Sequence, residues 1–119
     1  MNGTNLQIDI LARLLDVAGQ RHEVIAQNVA NVNTPGYRRL EVQFEDSFAD
    51  ILERSGPKDA LQLRPSVVEG KGDFERADGN NVDIDAEVGR LNKNTLLFKL
   101  YAQVLALQLA SMRSAISGR

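Results

Sequence analysis

The chain has 119 residues, a formal net charge of −2, one histidine, no cysteine and no tryptophan. That length holds one modest core, and with aromatics at only 5% a strong self-contained core is not expected. Disulfides and thiolate metal sites are excluded, and His22 alone cannot build an imidazole metal site or a catalytic triad.

The first residues, Met1 to Asn5, lack a basic region, and the apolar stretch after them is broken by Asp9, Arg13 and Asp16. Neither a cleaved signal peptide nor a membrane span is expected there. From about Leu6 to Val32, the residues Leu11, Leu15, Ala18, His22, Ile25, Val29 and Val32 recur at spacings of four and three, which predicts a long helix with a heptad seam. Ile8, Ile10, Leu14, Val17 and Val24 widen its apolar surface beyond one stripe. His22 is read as a packed or hydrogen-bonded seam residue. Gly19 costs about 1 kcal/mol against alanine in a helix and marks a close helix contact or a soft point.

This helix runs into Asn28, Asn31 and Asn33, then closes on Thr34-Pro35-Gly36-Tyr37. Asparagine is a poor helix-interior residue because its amide competes for backbone hydrogen bonds. Pro35 cannot continue a helix, and Gly36 readily takes the positive φ of a type II turn, which explains the chain from Asn33 onward. Asn28 and Asn31 lie where the stripe is still running, so their amides are expected to be held by other backbone rather than by solvent.

In the middle, Phe44, Phe48, Ile51 and Leu52 sit at helical spacing and predict a short helix from about Phe44 to Glu53, ended by Ser55-Gly56-Pro57. Leu61-Gln62-Leu63-Arg64 alternates like a short strand stopped by Pro65. Glu69-Gly70-Lys71-Gly72-Asp73 and Asp78-Gly79-Asn80-Asn81 read as turn clusters.

The last element is predicted from about Asp83 to Ser117. Ile84, Val88, Leu91, Thr95, Phe98, Ala102, Leu105, Leu109, Met112 and Ile116 repeat the four-three spacing without a break, with Leu97, Leu100, Tyr101, Val104 and Leu107 as a second flank. Asp83, Asp85 and Glu87 crowd its start, where carboxylates cap free amides and meet the positive end of the helix dipole. Residues 41–87 hold thirteen acids against five bases, whereas residues 88–119 hold five bases and no acid. Five cations interleaved with leucine and alanine make a weak phosphate footprint, so packing against acidic neighbours ranks above nucleic acid. The fold class expected is mainly α: one unit over 1–119, divided into an N-terminal helix and corner (1–37), a loop-rich middle (38–82) and a C-terminal helix (83–119).

Catalysis finds little to work with. The acids from Asp78 to Glu87 lack EF-hand spacing, Gly70-Lys71-Gly72 lacks the surroundings of a phosphate loop, and nucleophile, base and orienter cannot be assembled. A membrane-surface helix over 83–119 is disfavoured, because apolar residues run all round several turns.

Asn28, Ala30, Asn31, Thr34, Gly36 and Tyr37 match an Asn-x-Ala-Asn-x-x-Thr-x-Gly-aromatic signature at the end of a long helix. In this the chain resembles the axial proteins of the bacterial flagellum, which include rod, hook and hook-junction proteins. The likeness covers roughly residues 5–45 and 78–119. The short chain, Arg38-Arg39 after the turn, and Asp78-Gly79-Asn80-Asn81-Val82-Asp83 before a helix ending in Ser-Met-Arg-Ser-Ala-Ile favour the short proximal rod members. The resemblance implies a structural subunit of the periplasmic rod of the basal body, not an enzyme, with no cofactor and no small-molecule substrate. It implies export through the flagellar type III apparatus without a cleaved signal, and terminal helices paired antiparallel and stacked around a channel. Implied partners are copies of the chain itself, other rod proteins, the protein joining rod to membrane ring, and the export apparatus. Asn28, Ala30, Asn31, Thr34, Pro35, Gly36 and Tyr37 would form the assembly corner, with Leu11, Leu15, Ile25 and Val29 and the C-terminal stripe as packing seams. A generic coiled-coil adaptor or another short axial protein is the alternative; the adaptor would share the seams but has no use for the corner.

Overall fold

The computed structural model describes residues 3–72 and 74–118, with side chains from Asn5 onward. Asp73, at the end of the expected turn cluster over 69–73, and the terminal cation Arg119 lie outside the described residues. In chain order the elements are α1 (Gly3–Ala30), β1 (Leu40–Gln43), α2 (Glu45–Ser55), α3 (Pro57–Ala60), β2 (Ser66–Glu69) and α4 (Ile84–Ser117). The architecture is mainly helical, with a two-stranded sheet in a loop-rich middle.

Helices α1 and α4 pack side by side, and two hydrogen bonds fix their direction. Asn28 meets Glu87, and Asn94 donates to the Ala18 carbonyl at 2.7 Å, so residue numbers fall on one helix as they rise on the other. The pair is antiparallel. The start of α4 follows from its cap: the Asp83 carboxylate accepts from the amides of Asp85 and Ala86 at 3.0 and 3.3 Å, satisfying donors that have no partner within the helix.

The wide apolar surface of α1 serves two neighbours. Ala18 and Ile25 lie buried on the α4 side, whereas Val17 and Val24 join Val42, Phe44, Phe48 and Ala60 in a cluster on the other side. Phe44 and Phe48 stack at 5.0 Å between centroids. Burying a valine or phenylalanine side chain contributes about 1.5–3 kcal/mol, so this cluster helps to hold the middle region against α1. Ile10, Leu14, Ile51, Leu52 and Leu63 extend it at the rim. Gly56, at φ +93°, ends α2 and lets Pro57 open α3 at once.

Three expectations are corrected. Leu61–Arg64 is not a strand: the amides of Leu61, Gln62 and Leu63 donate back to Pro57, Asp59 and Ala60, continuing the turn of α3. The strand lies after Pro65, because a residue without an N–H is tolerated just ahead of a strand as readily as behind it. Its antiparallel partner β1 was not anticipated, and the register sets Leu40 opposite Glu69 and Gln43 opposite Ser66. His22, expected within the seam, is exposed. It projects beside Thr95, Phe98 and Lys99 at the flank of the helix pair, because α4 crosses α1 over its neighbours Ala18 and Ile25.

Candidate functional site: the asparagine corner

Asn28, in the last turn of α1, is fully buried. Its Nδ2 donates to the Leu40 carbonyl at 2.8 Å and to Glu87 Oε2 at 3.2 Å, and its Oδ1 accepts from the Leu40 amide and the Tyr37 hydroxyl, both at 2.9 Å. A carboxamide offers two donors and two acceptor lone pairs, and here all four are used. The reason it finds Leu40 lies in the sheet. The Arg39 carbonyl faces β2, taking the Gly70 amide at 2.8 Å, so the groups of the next residue, Leu40, face the other way, toward α1. Asn28 pairs with both of them and closes that edge of β1.

The end of α1 is held by residues far along the chain. Asn31 bonds locally: Nδ2 donates to the Gln27 carbonyl at 2.8 Å, and Oδ1 accepts from Thr34 Oγ1 at 3.0 Å. The carbonyls left free where the helix stops are taken by Asn80, which is fully buried. Its Nδ2 reaches the carbonyls of Asn31, Val32 and Thr34 at 2.9, 3.1 and 2.8 Å, while Oδ1 accepts from the Val82 amide at 2.8 Å. Arg76 adds donors to the Val32 and Val82 carbonyls. Gly36, at φ +74°, gives its amide to the Asp78 carbonyl at 2.8 Å. The two turns, 34–37 and 77–80, therefore lie against each other.

A buried ion pair forms the floor. Arg39 Nε donates to Glu87 Oε1 at 2.7 Å, with side chains 3% and 0% exposed. The same carboxylate oxygen accepts from Arg90 at 2.9 Å, and Arg39 also reaches Glu41 Oε2 and the Lys71 carbonyl. The Arg39 amide donates to Asn81 Oδ1 at 2.6 Å. Desolvation is the largest single influence on Arg39 and acts to lower its pKa, but the hydrogen bonds and charges of Glu87 and Glu41 together outweigh it, and the pKa lies above the ordinary value. Burial, reinforced by the Glu87 charge and opposed by Arg39, raises the Tyr37 hydroxyl above its usual range. Gly70 packs against this guanidinium so closely that a Cβ there would lie 2.0 Å from Nη1.

Of the corner residues expected from sequence, Asn28 is buried, Asn31 and Tyr37 are half-buried, and Ala30, Thr34, Pro35 and Gly36 are at the surface. Along the seams Ile25 is buried, and Leu11, Leu15, Val29, Leu91, Leu105 and Met112 are half-buried. Ile84, Val88, Phe98 and Leu109 are between 42% and 46% exposed, and Ile116 is 81% exposed. The positions of α4 that are fully covered by α1 and the corner are instead polar, Glu87 and Asn94. Sequence reasoning missed Arg39, Asn80, Asn81, Glu87 and Asn94 as structural residues. A signal for Asn80 and Asn81 existed, since two adjacent asparagines read as a turn can equally cap a helix end elsewhere. Among the described residues no group of acids and histidine is arranged to hold a metal ion. The corner is thus a polar knot that fixes the exit of the chain from α1, docks β1 and seats the start of α4.

The chain resembles known proteins at this corner and along nearly its whole length. A family described as flagella basal body rod protein matches residues 17–38. The flagellar basal body rod protein FlgB of Borrelia hermsii is 33% identical over 98% of this chain and 99% of its own length. FlgB of Borreliella burgdorferi is 29% identical over 89% of this chain and 92% of that protein. FlgB of Salmonella typhimurium is 28% identical over 87% of this chain and 88% of that protein.

Proposed function

Because the chain belongs to the flagellar basal body rod proteins, we propose that it is a subunit of the proximal rod, exported through the flagellar type III apparatus without cleavage and polymerised by packing of α1 and α4 around a channel. A structural role in the basal body follows from the family; the export route, the position along the rod and the helix packing go beyond it. The observation that most favours it is the exposed apolar surface of α4. Leu96, Leu100, Leu107 and Ile116 are 69%, 53%, 62% and 81% exposed, and a helix with apolar residues on every side requires several neighbours to cover it. By length and composition alone α4 could also cross a membrane. Its buried Glu87 and Asn94, both engaged with α1, favour protein neighbours.

On this reading the corner gives each subunit one rigid exit from its inner helix pair, so that β1, α2 and β2 lie outside the helices at a fixed angle. Its neighbours would be copies of the chain, other rod proteins and the protein joining rod to membrane ring. Deleting the gene and purifying basal bodies from the complemented strain tests the proposal. The deletion should remove hooks and filaments, and the complementing chain should co-purify with the rod. Normal hooks in the deletion strain would overturn the reading.

A further inference from the structure

Two adjoining clefts, about 420 and 460 Å³, run along one flank of the α1/α4 pair and share Gly19, Glu23 and Phe98, so they form one groove. Three features show that the groove is unfinished. Gly19 leaves open space in its wall, since a Cβ there would meet nothing within 4 Å. The Phe98 ring on the facing wall is 42% exposed. Asn94, which also lines it, is 2% exposed, yet its Oδ1 has no hydrogen-bond partner among the described residues, its Nδ2 being engaged by Ala18. A buried acceptor without a donor costs free energy that a docked donor would recover.

The charge beside the groove points to the occupant. Asp16 and Glu23 line the groove, with Lys99 in its second cleft, and Asp9, one heptad before Asp16, borders a neighbouring cleft beside Arg13; none of the three carboxylates has an ion-pair partner among the described residues. They form an acidic row with a step of about 10 Å. The complementary surface is at the far end of this same chain. Taking the Ala18–Asn94 register onward at equal rise, Gly3 falls opposite about residue 109, so the last turns of α4 run past the described start of α1. That end shows Leu107, Leu109 and Ile116 to solvent, carries Arg113, and follows a stretch with no acid after Glu87.

Building on the rod-subunit reading, we propose that the groove beside Gly19 takes the C-terminal end of α4, from about Leu107 to Ser117, of a second copy of this chain, with Arg113 set against the acidic row. Groove and occupant lie on different parts of the molecule. The contact is therefore heterologous and continues from copy to copy instead of closing as a symmetric dimer.

The absence of native cysteine makes the contact directly readable. Cells carrying the full-length chain as Gly19→Cys/Ile116→Cys are lysed, basal bodies are isolated and oxidised, and the product is run without reductant. A ladder of dimer, trimer and higher species is expected, absent from both single variants. Adding Asp16→Lys should weaken the ladder by about fivefold, and adding Arg113→Asp to that should restore it. The double variant present in basal bodies without a ladder overturns the docking and leaves the rod reading intact. A wild-type chain missing from basal bodies overturns both. Should the variant alone fail to incorporate, the purified full-length variant is oxidised at high concentration. A ladder there supports the contact; uncross-linked chain there, or chain bound instead to phospholipid vesicles, overturns it.

Discussion

Asn28 and Asn31 are three positions apart and read alike in the sequence, yet the structure gives them different energetic weight. Asn28→Ala removes four hydrogen bonds and leaves both backbone groups of Leu40 and one Glu87 oxygen short of partners, which predicts a loss of about 2–4 kcal/mol in urea unfolding. Asn31→Ala breaks only local bonds near the surface and gains helix propensity, so less than about 1 kcal/mol is expected from the same measurement. The buried pair gives a second test. Glu87→Gln leaves the Arg39 guanidinium buried with a weakened counter-charge and should cost about 3 kcal/mol, whereas Arg39→Met with Glu87→Leu should be milder than Glu87→Gln alone. Tyr37 sets a pH limit. Its hydroxyl is raised above 10.0 in the fold, mainly by burial, so the neutral form is the one the fold favours. For an acid raised in this way the stability is complete below the ordinary value and is lost as pH climbs through the raised one. Stability followed from pH 9 upward should therefore fall beyond about pH 10, and Tyr37→Phe should flatten that fall. The Arg39–Glu87 pair was not legible in the sequence, because 48 residues separate the partners and no local pattern links them. Asn28 was legible, since a buried-type position held by an amide contradicts helix propensity and so demands a partner.

Among the elements, the long helices announce themselves because periodicity over many turns leaves one solution, and α2 does so through Phe44, Phe48, Ile51 and Leu52. The strands do not. β1 has four residues, two of them polar, and its place is set by Asn28 and by β2 rather than by its own pattern. The seam of α4 was read from its apolar residues, and the covered positions Glu87 and Asn94 escaped because periodic reasoning counts only hydrophobic members. The glycines report the same division between local and tertiary demands. Gly36 needs its φ of +74°, so Gly36→Ala should cost about 1–2 kcal/mol through backbone strain alone. Gly70 has no such need, yet Gly70→Ala must push the Arg39 guanidinium off Glu87 and should cost at least as much. Gly19 sits in mid-helix facing open space, and Gly19→Ala should stabilise the isolated chain by about 0.5–1 kcal/mol. Thermal unfolding of the three variants orders them, and a destabilised Gly19→Ala would mean that α1 packs differently there.

At the scale of the whole molecule, shape and surface agree that the chain is built to be covered. It measures 64 × 30 × 16 Å with a radius of gyration of 17.8 Å, where a compact chain of this length has about 13.5 Å. Its accessible surface of 7769 Å² exceeds by roughly 1,400 Å² what a compact protein of this mass presents, an excess comparable to what a subunit gives up at one or two ordinary interfaces. Among the described residues, eight of the ten exposed large apolar side chains lie on α4, whose start is anchored by Asp83, Glu87 and Asn94 while its end shows Leu107, Leu109 and Ile116 to solvent. A helix gains most of its stability from packing, so the two halves of α4 should differ in the isolated chain. Amide hydrogen exchange should find α1 and the first part of α4, through about Phe98, protected together as the unit held by the buried core and the polar knot. Beyond about Leu107 exchange should approach that of an open chain. In isolated basal bodies the same amides should become as slow as those near Glu87, since neighbouring subunits supply the missing cover. Protection that already runs evenly to Ser117 in the free chain would mean that α4 needs no neighbour, and the assembly role of its exposed face would fall.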